Sequence, residues 1–117
     1  MLTVYGIPNC NTVKKARTWL DENGVEYTFH DYKKKGITAD KLQKWLAVFP
    51  WDKLVNKAGT TWKGLTDEEK AAIKDNESAI ELMTTKTSVI KRPLIENAEG
   101  VAISLGFSEV EFGEKYL

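Results

Sequence analysis

The sequence predicts a mixed α/β fold in which an all-helical segment is inserted between a βαβ unit and a closing ββα unit. Three observations carry this expectation. A strand–helix–strand pattern fills residues 2–32, helical periodicity with capping signals runs over about 37–86, and β character returns only after residue 87. The chain of 117 residues is long enough for one domain, 1–117, with its own hydrophobic core. Its α/β core is expected over about 1–36 and 87–117, with the insert between.

Each element has its own local signal. Leu2-Thr3-Val4-Tyr5 alternates and is bounded by Gly6 and Pro8, the marks of a short strand. Over 11–23, Val13, Ala16 and Leu20 fall on one helical face with Trp19 beside them, and charged residues cover the rest. Asn23-Gly24 ends this helix, because both residues tolerate the left-handed conformation of a C-cap. Val25–Tyr32 alternates again and is rich in β-formers, so a parallel strand pair with a right-handed crossover is expected. Thr38 caps a helix carrying Leu42, Trp45, Leu46 and Phe49, which Pro50 ends. The segment "TDEE" at Thr66–Glu69 is a capping box before an alanine-rich run, and a further helix is expected over 77–84. A strand over 88–95, a turn at 97–100, a strand over 101–105 and a second capping box, "SEVE" at Ser108, complete the chain.

Proline is poorly tolerated inside a central strand, where it removes a ladder hydrogen bond. A cis peptide at the start of the strand resolves the conflict at Pro93. With that proline, the element order resembles the thioredoxin-like (glutaredoxin-like) fold, in which such a proline faces the reactive cysteine.

Lys plus Arg and Asp plus Glu number 17 each, so no general affinity for nucleic acid is expected. The first 57 residues nonetheless carry ten basic and six acidic side chains, which suits an anionic substrate near the cysteine, although most such asymmetry is solvated surface. A single cysteine excludes an internal disulfide. The N-terminus lacks the long apolar region of a signal peptide, and no apolar stretch of about 18 residues exists. A soluble, cytoplasmic protein in a reducing compartment, away from membranes, is the expectation.

Chemistry points to "YGIPNCNTVKKA", residues 5–16. Cys10 follows a strand and stands where a helix begins, so unpaired N–H groups and the positive end of the helix dipole favour its thiolate. Lys14 is expected to add positive charge. A free cysteine is also commonly an inert core residue; the polar neighbours Asn9 and Asn11 weigh toward a nucleophile. His30 lies on the second strand and receives no role. Lys33-Lys34-Lys35 reads as a solvated loop, and the four tryptophans read mostly as packing.

The segments "LTVYGIPNCNTVKKARTWLDENGVEY", "GTTWKGL", "SVIKRPLI" and "GFSE" together resemble the ArsC/Spx family, and within it the YffB-like group. The resemblance covers essentially the whole chain and implies a thioredoxin-like fold with a helical insert. It implies that Cys10 is the nucleophile of a glutathione- and glutaredoxin-linked reductase, with glutathione as co-substrate and no metal or bound organic cofactor. Asn11, Thr12, Lys14, Arg92 and Pro93 are then expected to bind the substrate anion or glutathione. For Arg92 the plainer alternative is a surface arginine paired with a nearby carboxylate. The family's arsenate reductases hold the oxyanion with three arginines. Arg92 matches the first, while the second falls at Asn56, beside Lys57, and the third at Gly106; a family histidine falls at Gly6. The Spx regulators bind RNA polymerase and sense oxidation through Cys-x-x-Cys, whose fourth position here is Val13. RNA polymerase is therefore the alternative partner, and an oxidised Cys10 needs an outside thiol to resolve it. Trp62, in "GTTW", is implied only by the resemblance to wall the site. A monomer is expected.

Overall fold

β1 (Leu2–Gly6) is the strand on which the sheet is built. It pairs in parallel with β2 (Tyr27–Asp31) on one side and antiparallel with β3 (Leu94–Glu96) on the other. β4 (Ala102–Leu105) closes the sheet antiparallel to β3, giving the order β2-β1-β3-β4. The computed structural model describes all residues, Met1–Leu117. Between β1 and β2 runs α1 (Asn11–Glu22). Asn23 stops it by donating both its backbone N–H and its side-chain amide to the Trp19 carbonyl, and Gly24 then takes φ 68°. The expected thioredoxin-like fold is present.

Alternation along the strands sends Val4 and Ile95 to one face, where Ala16 and Leu20 of α1 and Phe112 of α8 (Glu109–Tyr116) bury them completely. Phe112 is the centre of an aromatic cluster, meeting Trp19, Phe107 and Tyr116 edge-on at 5.5, 4.9 and 5.0 Å between ring centres. Such T-shaped pairs satisfy the ring quadrupoles and fill the core at once. On the opposite face stand Tyr5, His30 and Glu96, placed there by the registers Tyr5↔His30 and Thr3↔Glu96.

Contacts divide the chain into two units: Met1–Lys35 with Arg92–Leu117, and Gly36–Lys91. Within the second, α3 (Ala39–Leu46) packs on α7 (Asn76–Thr85). Thr38 caps α3 by accepting from the Lys41 N–H, and Asp75 and Ser78 form a capping box at α7. Short helical turns lie between them: α4 (Trp51–Leu54), α5 (Thr60–Lys63) and α6 (Asp67–Ala72). Thr66 and Glu69 form the expected reciprocal box at α6. Val55 bridges Ile90, and the Asn56 N–H donates to the Val89 carbonyl at 2.8 Å.

Several boundaries differ from the sequence expectation. Lys33-Lys34-Lys35 belongs to a single helical turn, α2 (Tyr32–Lys35), opened by the Asp31 carboxylate accepting from the Lys33 N–H. The stretch 88–95 is a strand only from Leu94; Thr87–Val89 is a 3₁₀ turn, and Pro93 cannot donate to a ladder. At α8 the Ser108 hydroxyl accepts from the Glu111 N–H as expected, but the Glu111 carboxylate lies 3.9 Å from Lys115 Nζ, one turn along the helix. No helix is long and apolar enough to cross a membrane.

Replacing Phe112 by alanine removes the ring that three others pack against. Urea denaturation should find a loss of about 3–5 kcal/mol. A loss below about 1 kcal/mol would show that α8 does not seal this face.

Candidate active site at Cys10

Pro8 and Asn9 turn the chain out of β1, and the turn is closed by the Cys10 N–H donating to the Ile7 carbonyl at 3.2 Å. Cys10 is the N-cap of α1, with extended backbone (φ −95°, ψ 126°), and its carbonyl accepts the first helical bond from the Lys14 N–H at 2.9 Å. The first N–H groups of α1 have no carbonyl within the helix to donate to. The half-buried sulfur stands at this end. It makes no strict side-chain cap bond, since sulfur is large and soft, but the N–H groups of Val13 and Thr12 act on it. Burial alone pushes the thiol pKa up. The Val13 N–H, the hydrogen bond and charge of the Arg92 guanidinium, and the Thr12 N–H outweigh it, so the thiol titrates below its ordinary value.

Arg92 arrives from the other side of the sheet's centre, at the residue before β3. The Arg92–Pro93 peptide is cis. Pro93 is buried, and its carbonyl accepts from the Gly106 N–H at 2.8 Å, which ties the start of β3 to the end of β4. Gly106 makes this bond at φ 86°, a backbone conformation that side chains other than glycine's rarely adopt.

The expected residues are thus partly assembled. The backbone N–H groups of Thr12 and Val13 and the Arg92 guanidinium act on the Cys10 sulfur, Pro93 follows Arg92 through the cis bond, and the side chains of Asn11 and Thr12 are exposed at the helix start. The Lys14 side chain is exposed and lines a groove with Trp19 and Phe107, and the charge that lowers the Cys10 pKa is that of Arg92. Asn56 and Lys57 lie in the second unit, where Asn56 Oδ1 accepts from the Ala58 N–H at 3.2 Å. Lys57 Nζ stands 4.9 Å from the Trp51 ring centre and 5.6 Å from that of Trp62. His30 stacks on Tyr5 with ring centres 4.7 Å apart.

A buried polar cluster escaped the sequence. Tyr5 donates its hydroxyl to Glu96 Oε1 at 2.8 Å, and both residues are buried. Burial first, and then the Glu96 carboxylate, hold the Tyr5 phenol far above its ordinary pKa. Tyr32, only 1 % exposed, is also raised by burial, then by Tyr5, while the Arg92 charge pulls it down. Arg92 therefore faces both the sulfur and this cluster. Glu96 in the last short strand and Tyr5 in the first are 91 residues apart, and no local pattern links them. No group of three or more His, Cys, Asp or Glu side chains is arranged to hold a metal ion.

With this geometry in hand, known proteins place the chain. The ArsC family model matches residues 5–114. An uncharacterized protein of Haemophilus influenzae is 41% identical over 112 residues, covering 96% of each chain. The global transcriptional regulator Spx of Staphylococcus aureus is 24% identical over 114 residues, 95% of this chain and 83% of that one. The solved YFFB protein is 43% identical, covers all of both chains and superposes with a TM-score of 0.92. The chain belongs to the ArsC family.

Proposed function

We propose that this chain is a glutathione/glutaredoxin-dependent thiol oxidoreductase of the ArsC type, with Cys10 as its single nucleophile. The observation that carries the reading is the convergence of α1 amides and the Arg92 guanidinium on one half-buried sulfur. A half-buried sulfur whose thiolate is favoured in this way suits a nucleophile better than an ordinary cysteine does.

For a substrate carried as a mixed disulfide with glutathione, the Cys10 thiolate attacks the glutathione sulfur. A Cys10–glutathione disulfide forms, and the substrate thiolate leaves with the electron pair of the broken S–S bond. A second glutathione thiolate, or that of glutaredoxin, then attacks the glutathionyl sulfur and restores Cys10 as thiolate. The substrate thiol is released in reduced form, and its former glutathione partner is joined to the one external thiol as a disulfide. Arg92 fits two tasks, holding the Cys10 thiolate before attack and pairing with a carboxylate of glutathione after it. Val13 stands where a second cysteine would resolve the adduct within the chain, so release depends on the outside thiol.

The likeness to Spx favours a second reading, a regulator that binds RNA polymerase without catalysis. Retention of RNA polymerase by immobilised wild-type and Cys10→Ser protein alike, with no glutathione adduct, would favour it.

Incubation with oxidised glutathione should give one glutathione per chain by intact-mass spectrometry, stable until a thiol is added. An unmodified chain, or disulfide-linked dimers alone, would contradict the proposal.

Arsenate should be a poor substrate. Two of the three arginines expected from the family are replaced, and Gly106 is held at φ 86°, where an arginine would be strained. Each charge-assisted hydrogen bond is typically worth about 1.5–3 kcal/mol, so their loss removes roughly two to four powers of ten in efficiency. Lysine at position 57 offers charge but not the planar fork that grips an oxyanion twice. A coupled assay with glutathione, glutaredoxin and glutathione reductase measures this directly. Turnover within tenfold of an efficient arsenate reductase would refute the expectation.

A further inference from the structure

Gly6 is the last residue of β1, and it is buried. Glycine inside a strand weakens it and commonly marks a place where another part of the chain comes close. Its backbone does not explain the residue choice, since Gly6 is not among the glycines with positive φ. Space does. A Cβ built on Gly6 would lie 2.8 Å from Val13 Cγ2 and 3.5 Å from Val13 Cγ1, while Arg92 Cβ would sit at an ordinary 3.8 Å. Val13 is fully buried, so it cannot turn its branched side chain away into solvent. Its rotamer is further confined by its place in the first turn of α1.

The contact lies directly behind the sulfur. Val13 is the third helical residue after the Cys10 N-cap, and its N–H acts on the Cys10 sulfur. The bond from the Cys10 N–H to the Ile7 carbonyl anchors the loop one residue beyond Gly6. The height of α1 above the end of β1 is therefore set by how closely Val13 approaches residue 6.

We propose that Gly6 is a positioning residue for the nucleophile: the missing side chain lets Val13 seat against the end of β1, and that seat aims the first N–H groups of α1 at the Cys10 sulfur. The inference deepens the reading of Cys10 as a thiolate nucleophile and rests on it. It assigns Gly6 and Val13 a joint role in which the size of one limits the size of the other. A methyl group at position 6 must push Val13 back by several tenths of an ångström, because Cβ atoms essentially never approach within 3.0 Å. Alanine itself is tolerated by the backbone there, so the effect is one of contact alone.

The test is the pH profile of Cys10 alkylation by iodoacetamide in wild type, Gly6→Ala, Val13→Ala and the double variant, with folding followed by circular dichroism. Gly6→Ala should move the profile to higher pH and lower the rate at pH 7 by roughly three- to tenfold, as the thiolate fraction falls. Val13→Ala removes both methyl groups that meet the new Cβ, so the double variant should return to within about twofold of wild type. A Gly6→Ala profile that coincides with wild type overturns the inference, as does a shift that Val13→Ala fails to rescue. If Gly6→Ala does not fold, a folded double variant with the wild-type profile supports the inference, and an unfolded or shifted one overturns it. An ordinary thiol profile in the wild-type protein would instead refute the proposed function itself, which keeps the two failures distinct.

Discussion

The Val13 N–H at the start of α1 and the Arg92 guanidinium before β3 act on the same sulfur, although 79 positions of sequence numbering lie between them. Neither element brings the other; the sheet does. β1 leads into the Cys10 turn and pairs with β3 through Tyr5↔Leu94 and Val4↔Ile95, so the ends of these strands deliver cysteine and arginine to one place. The Phe112 cluster, on the face that α1 covers, holds α1 and α8 against those same strands. Burial by itself would keep Cys10 protonated. Its lowered pKa is a consequence of where the fold directs a few dipoles and one charge.

Two glycines border this arrangement for different physical reasons. Gly106 is required by its backbone, a φ of 86° from which its N–H holds the Pro93 carbonyl. Gly6 is required by space, since Val13 occupies the volume of any side chain there. Gly6 lies beside the helix that Cys10 caps, and Gly106 beside the cis-proline. The buried Tyr5–Glu96 pair stands on the far face of the sheet, and the Arg92 charge bears on the neighbouring Tyr32.

Elements with a local cause were legible in the sequence. β1, α1 with its Asn23-Gly24 stop, the Thr66–Glu69 box and the proline at the head of β3 each announce themselves within a few residues, and the structure contains all of them. Cys10 at a helix start was legible for the same reason. What depends on distant partners was not. The Tyr5–Glu96 bond joins the first strand to the third, and the Gly6–Val13 contact is a matter of packing between a strand end and a helix. Arg92, distant in the sequence, supplies charge at the sulfur, and the exposed Lys14 lines a groove with Trp19 and Phe107. The strand expected over 88–95 shrank to Leu94–Glu96, because apolar β-formers before a proline also suit a 3₁₀ turn.

The claim that this fold exists to present a thiolate is tested most directly by the rate of iodoacetamide alkylation of Cys10 as a function of pH, in wild type and in Arg92→Ala. Half-maximal rate well below the ~8.5 of an ordinary cysteine, moving toward it when Arg92 is removed, is the predicted result. A rate that rises only through the ordinary value in both proteins, or a thiol that reacts only after denaturation, would contradict it.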